Sequence, residues 1–142
     1  MFDEIIANDF LEHIRDLTTA MTSCLKLLKI GGEFKTKVPY DLSYGAWQDP
    51  THVRTFNERS WLYYTDWFWY LGWTEARFDL IANQINLSQI GVQLQNKGIP
   101  FQDILLQPRA VDDMQVVLRK RLLTDAEKET VKHYLKRPDS FV

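Results

Sequence analysis

The sequence is nearly without cysteine, Cys24 being alone in 142 residues. One thiol cannot staple a chain to itself, so a disulfide scaffold is excluded and a reducing compartment is the expected setting. Glycine is sparse at six residues, and the adjacent pair Gly31-Gly32 closes a helical stretch rather than opening one. A Gly-rich loop leading into a helix, the usual cradle for a nucleotide, is therefore missing. There is no excess of positive charge: 17 Lys and Arg face 19 Asp and Glu, for a net charge of −2. A dedicated nucleic-acid binder would show a basic surplus, so nucleic acid is not an expected partner. No apolar run is long enough to span a bilayer and no signal-peptide pattern opens the chain, which leads us to expect a soluble cytoplasmic protein without a membrane partner.

Apolar and aromatic side chains are abundant. They make up 45% and 13% of the chain, enough for a hydrophobic core, and the length suits a single domain over 1–142. Ile5-Ile6-Ala7 reads as a strand that runs into the polar cluster Asn8-Asp9. Leu17, Ala20, Met21, Cys24, Leu25 and Leu28 then fall on one helical stripe, with Asp16, Thr19, Ser23 and Lys26 facing outward. Gly31 supplies a left-handed stop for that helix. Phe34, Thr36 and Val38 alternate with Glu33, Lys35 and Lys37 in a second strand, and the lysines point to an incompletely covered sheet face. Strand, helix, strand predicts a parallel pair, with ligands expected at the carboxyl ends of the strands, where Asn8 to His13 lie.

Farther on, 40–56 is a long loop carrying Tyr44, Trp47 and His52, and a loop so rich in large rings is expected to be functional. Asn57 is placed to cap a helix reaching about Tyr70 and stopped by Gly72. Trp61, Tyr64, Phe68 and Leu71 would share one face of it and Tyr63, Trp67 and Tyr70 another, for burial in the core, at a substrate wall or at an oligomer contact. A strand is expected over 73–87, a connector or partly ordered hairpin extension over 88–109, and a last strand over 114–122. Arg119-Lys120-Arg121 reads as a solvated strand end. Thr124-Asp125-Ala126-Glu127 is a capping box opening a helix to about Lys136, with Val131 and Leu135 closing over the core.

The residues able to carry chemistry are few. A helix beginning near Asp9 would put Asp9, Glu12 and His13 at i, i+3 and i+4, two carboxylates and an imidazole on one face. His52 could reach the same place. These four residues suit a divalent ion, Mg, Mn or Zn, by ligand type, while the plainer alternative is that Glu12-His13 merely orders the polar end of the strand. His13 and His52 are the general-base candidates of this region. His133, on the terminal helix, reads as a surface residue. Neither Cys24 nor Ser60 has a triad around it, so nucleophilic hydrolysis is not expected.

FDEIIANDFLEHI, followed by a helix, Leu27-Leu28-Lys29-Ile30-Gly31-Gly32 and Val38-Pro39-Tyr40, resembles the second half of a class I S-adenosylmethionine-dependent methyltransferase of the type 11-like group. The resemblance covers most of the chain. It implies an α/β, partial Rossmann-like fold: a mixed sheet with parallel strands plus a C-terminal antiparallel hairpin, helices on the faces, and 40–56 and 88–109 as insertions. It implies S-adenosylmethionine as cofactor, with Asn8, Asp9 and Phe10 at its binding site and Asp9 near the reaction centre together with His13 and His52. It implies a substrate pocket bordered by Tyr40, Tyr44, Trp47 and His52. In the ubiquinone-pathway and small-RNA 2′-O-methyltransferases a similar Glu-His motif binds metal, which implies Asp9, Glu12, His13 and His52 as ligands.

Two readings follow. The chain is a methyltransferase, or a truncated half of one that lacks the N-terminal Gly-rich cofactor loop, acting by O-methyl transfer on a small-molecule or glycan-like acceptor. Alternatively it is a catalytically inactive association module. In either case an uncovered Phe2 to Ala7 strand edge leads us to expect a homodimer or a complex with a separate N-terminal half.

Overall fold

A computed structural model of the chain describes residues 1–135. Strand β1 (Phe2–Asn8) leads through a 3-10 turn (Leu11–His13) to helix α1 (Leu17–Leu27) and strand β2 (Leu28–Pro39). A short helix α2 (Tyr44–Trp47) and an aromatic segment precede β3 (Ala76–Leu87). Helices α3 (Gln89–Asn96) and α4 (Phe101–Ile104) separate β3 from β4 (Val111–Leu122), and α5 (Asp125–Leu135) follows; Lys136, the expected helix end, lies outside the described residues. The sheet has the order β1-β2-β4-β3, with β1 parallel to β2 and the other pairs antiparallel. This is the mixed α/β sheet with a C-terminal antiparallel hairpin that the sequence led us to expect, flanked by helices. Among the described residues no helix is long and apolar enough to cross a membrane.

The α1 stripe packs as its spacing predicts. Leu17, Met21 and Leu25 are buried, Asp16 caps the first turn by accepting from the Thr19 amide, and each buried side chain contributes about 1.5–3 kcal/mol. They meet Phe34, Val38, Met114, Val116 and Leu118 on one face of the sheet. The opposite face is less well covered, as Lys35 and Lys37 suggested: both are half-buried, and Ile6 is 61% exposed. β1 is an edge strand, with Glu4 paired to Lys35 and Asp3 to Lys29.

Five expectations need correction. The first helix stops at Leu27, not at the double glycine. Leu28 is already extended, pairs with Phe2 and is fully buried, and Gly31, at φ +85°, sits inside β2 where the pairing jumps from Phe2–Leu28 to Glu4–Glu33. Its left-handed backbone makes an irregularity in a strand rather than a helix cap. No continuous helix spans 57–70. Two 3-10 turns, Leu62–Tyr64 and Phe68–Leu71, stand there instead: the Thr65 backbone leaves the helical region at φ −121°, ψ −103°, and the amides of Tyr64, Thr65 and Phe68 donate three residues back, to the carbonyls of Trp61, Leu62 and Thr65. Trp61, Tyr64 and Phe68 are nevertheless buried, while Tyr63 and Tyr70 stay exposed, each edge-on to a neighbouring ring.

The 88–109 connector is helical rather than a hairpin extension: Ser88 caps α3 by accepting from the Gly91 amide. The basic run at 119–121 is not simply solvated. Arg119 pairs with Glu33 and Arg121 with Asp79 and Glu127, while Lys120 is only 8% exposed and donates to the Leu28 carbonyl at 2.7 Å. A buried ammonium there neutralises the end of α1 and satisfies a terminal carbonyl.

The capping box forms as expected. The Glu127 amide donates to Thr124 Oγ1 and the Thr124 amide to Glu127 Oε1. Val131 is buried, but Leu135 is 45% exposed and does not close over the core. Glu127 also accepts from Arg77 and Arg121, fastening α5 to β3 and β4. The Arg121 hydrogen bond foremost, then those with Thr124 and the charge of Arg77, hold its carboxyl down to about 2 from an ordinary 4.5. A depressed folded pKa gives stability that is present above the unfolded value and lost as protons return. The melting temperature is therefore expected to fall as pH drops from about 4.5 towards 2, and Glu127→Gln to lower it at pH 7 and flatten that acid limb. Thermal melts of both proteins at pH 7, 4 and 3 check this; parallel acid limbs would contradict it.

Candidate functional site

The carboxyl end of β1 is where the chain gathers its chemistry. Asp9 adopts a left-handed conformation, φ +52°, and its amide donates to the Lys37 carbonyl at 2.8 Å. This kink, with the short 3-10 turn at Leu11–His13, replaces the α-helix expected to begin near Asp9. The i, i+3, i+4 face of Asp9, Glu12 and His13 therefore does not form. Asp9 Oδ2 instead lies 3.1 Å from Lys37 Nζ, a pairing that raises the lysine's pKa through its hydrogen bond and charge. Glu12 is turned inward and is 2% exposed.

The 40–56 loop folds back over this turn. Asp41 donates to the Phe56 carbonyl, Val53 to the Glu12 carbonyl, and Arg54 Nη2 to the carbonyls of Ile14 and Arg15 at 2.8 and 2.7 Å. These bonds bring the His52 ring to 4.6 Å from that of His13, edge to face. One donor atom from each of Glu12, His13 and His52 lies within 4.8 Å of the others. His13 Nε2 is 3.9 Å from Glu12 Oε1.

The hydrogen bonds fix which ring nitrogens are free. Thr51 Oγ1 has one proton, given to Asp49 Oδ1 at 2.7 Å, so at 2.9 Å from His13 Nδ1 the hydroxyl must accept. The Thr51 hydroxyl and amide hold the Asp49 carboxyl below its ordinary pKa and keep it an acceptor. The Ala46 carbonyl can only accept, so His52 Nδ1, 2.8 Å away, also carries its proton. In the neutral rings both Nε2 atoms carry no proton, the state that suits a metal ligand or a general base, and each lies near a carboxylate, that of His52 3.6 Å from Asp49 Oδ2. Glu12 Oε2 is buried with no hydrogen-bond partner among the described residues, an arrangement that favours a cation nearby.

Sequence reasoning named Glu12, His13 and His52 but missed their supports. Asp49 is one of these supports: Asp-x-Thr-His holds an Asx turn, and Thr51, bonded to Asp49, orients the His13 ring. Arg54 gave no signal of its strap.

Beside the cluster, a groove of about 350 Å³ runs along β1 and α1, lined by residues including Asn8, Phe10, Leu11, Ala20 and Cys24. Asn8 and Phe10 thus face a cavity, whereas Asp9 does not contribute to its wall. Tyr40 is buried rather than open to a pocket. Its hydroxyl donates to Glu58 at 2.5 Å, and burial first, then that bond, raises its pKa. Tyr44 and Trp47 are exposed on α2, with the Arg109 guanidinium 4.2 Å above the Tyr44 ring. Of the four residues expected to line the substrate pocket, only His52 joins the cluster.

No protein-family model matches the chain, and no curated protein matches it in sequence. Among solved structures it is similar to a SAM dependent methyltransferase from Archaeoglobus fulgidus, at 15% identity and a TM-score of 0.54. The likeness covers 83% of this chain and 59% of that one, so the chain spans about three-fifths of the protein it resembles. At this identity the likeness is one of fold, and by fold the chain is similar to a SAM-dependent methyltransferase over most of its length.

Proposed function

We propose that the chain is the C-terminal part of an S-adenosylmethionine-dependent O-methyltransferase acting on a hydroxyl of a small-molecule or glycan-like acceptor. The observation that carries this is the convergence of buried Glu12 with two unprotonated imidazole Nε2 atoms at the end of β1, beside a groove that Asn8 and Phe10 line. Asn8 offers an amide and Phe10 a half-exposed ring, which fit one end of the cofactor. When bound, S-adenosylmethionine supplies a methyl group on a sulfonium, and its transfer needs an acceptor in line and stripped of its proton.

Glu12, His13 and His52 fit a divalent ion, and the partnerless Glu12 oxygen is the observation in favour. Two nitrogens and one carboxylate oxygen suit Zn or Mn better than Mg. Such an ion lowers the pKa of a hydroxyl bound to it. Two ligands at about 2.1 Å from one ion lie no more than about 4.2 Å apart, so the widest pair of the three must draw in slightly. Without an ion, the same Nε2 atoms of His13 and His52 accept the acceptor's proton. Asp9, paired to Lys37, has no part in either role.

The second reading is the association module, favoured by β1 as a sheet edge with Ile6 and Phe2 exposed beside it. Its partner would be a second copy or a separate N-terminal half.

Calorimetric titration of the folded chain with S-adenosylhomocysteine, with and without Mn or Zn, tests the two. We expect saturable heat that Phe10→Ala weakens about tenfold. No heat from a chain that circular dichroism shows folded, with a mass by light scattering near twice 16.8 kDa, would replace the enzyme reading by the association one.

A further inference from the structure

A second cavity, of about 380 Å³, lies apart from the Glu12 cluster, between the C-terminal half of α1, the turn before β3 and the far end of β4. This volume is within the range of small-molecule sites, about 300–1,000 Å³. Leu25, Leu71 and Trp73 give it an apolar body, and Trp73 Nε1 is held by donating to Thr22 Oγ1 at 3.0 Å. Two cations, Lys26 and Lys120, reach its wall, against one acid, the exposed Glu75.

Lys120 is the unusual member. An ammonium carries three donors. One goes to the Leu28 carbonyl, and among the described residues no other acceptor takes the remaining two. Carboxylates on the adjoining elements are engaged elsewhere: Asp79 of β3 and Glu127 of α5 with Arg121, Glu33 of β2 with Arg119. The negative end of α1 offsets only part of its charge, so a cation with two spare donors at a cavity wall and no carboxylate paired to it is completed best by an anion. Burial lowers its pKa, consistent with that missing partner.

We propose that this cavity binds a small monocarboxylate with an aromatic or branched apolar body, its carboxylate on Lys120 and its body against Trp73 and Leu71. The site shares no residue with the Glu12 cluster, so it stands or falls independently of the methyltransferase reading.

Benzoate is the probe, with benzyl alcohol as its neutral counterpart. Each is titrated into the full isotope-labelled chain while the Trp73 indole resonance is followed. We expect benzoate to shift that resonance saturably and at least tenfold more tightly than benzyl alcohol. Lys120→Met should remove the difference between the two probes, and Leu71→Trp, which keeps the lysine and fills the cavity, should weaken both. Equal affinity for acid and alcohol, undiminished benzoate binding in Leu71→Trp, or no shift in the wild-type chain would overturn the proposal.

Discussion

His52→Ala is expected to lower the affinity of the chain for Zn or Mn by about 100-fold or more, and Asp9→Asn to leave it unchanged. The contrast follows from where the structure puts the two side chains. His52 presents its Nε2 to the Glu12–His13 pair because the Ala46 carbonyl holds its other nitrogen, whereas Asp9 is spent on Lys37. Thr51→Val touches no donor atom but releases His13 Nδ1, and such supporting contacts cost about 10–100-fold when lost. Glu12→Gln separates binding from stability. It removes a buried charge with a partnerless oxygen, so the metal-free variant should melt no lower than the parent and even higher, while losing the gain that metal brings. That gain is about 2.7 kcal/mol at an ion concentration 100 times Kd. Calorimetry and metal-dependent melting curves on the four variants check the set. Equal binding by His52→Ala and the parent would overturn the proposed metal site.

Much of this site was legible because it depends on residue types and on the topology of a strand–helix–strand unit. His13 and His52 follow the ends of adjacent parallel strands, and that alone predicts their meeting. Asp9 was misplaced because its role in the i, i+3, i+4 face assumed a helix, and one left-handed residue is enough to cancel that periodicity. The α1 stripe and the Thr124 capping box were readable for the opposite reason: both are local patterns, the stripe a spacing along one helix and the box a pair of bonds closed within one turn. Lys120 was not readable. Its neighbours in sequence are two arginines, and only the arrival of the α1 terminus across 92 residues makes an interior site for it. The aromatic segment failed likewise: the ring spacing read as one helix, yet a single residue, Thr65, leaves the helical region and divides the segment into two 3-10 turns. Gly31 was correctly read as left-handed and wrongly read as a cap, because the same φ serves a strand irregularity.

Gly91→Ala is expected to destabilise the chain by about 3 kcal/mol or more, although helix propensity by itself would make it stabilising by about 1 kcal/mol. Gly91 lies in the first turn of α3, and a Cβ there would stand 2.0 Å from the Ala110 carbonyl oxygen and 3.0 Å from its carbon. Neither is free to yield: that carbonyl already accepts from the Ser88 amide, and the Ser88 hydroxyl accepts from Gly91 and donates to the Arg109 carbonyl. The helix would have to lift from the start of β4, undoing the cap with it. Gly98→Ala is the control, since its site is open and only the left-handed backbone, φ +81°, opposes a side chain, at about 1–2 kcal/mol. Urea unfolding of both variants measures the difference, and a Gly91→Ala midpoint at or above that of Gly98→Ala would refute the close approach. The damage should also travel. Arg109, next to the contact, donates its amide to the Leu42 carbonyl and its guanidinium to the Ser43 carbonyl, fastening the loop that carries His52. Gly91→Ala should therefore weaken metal affinity from a position that shares no contact with the ligands, and Gly98→Ala should not.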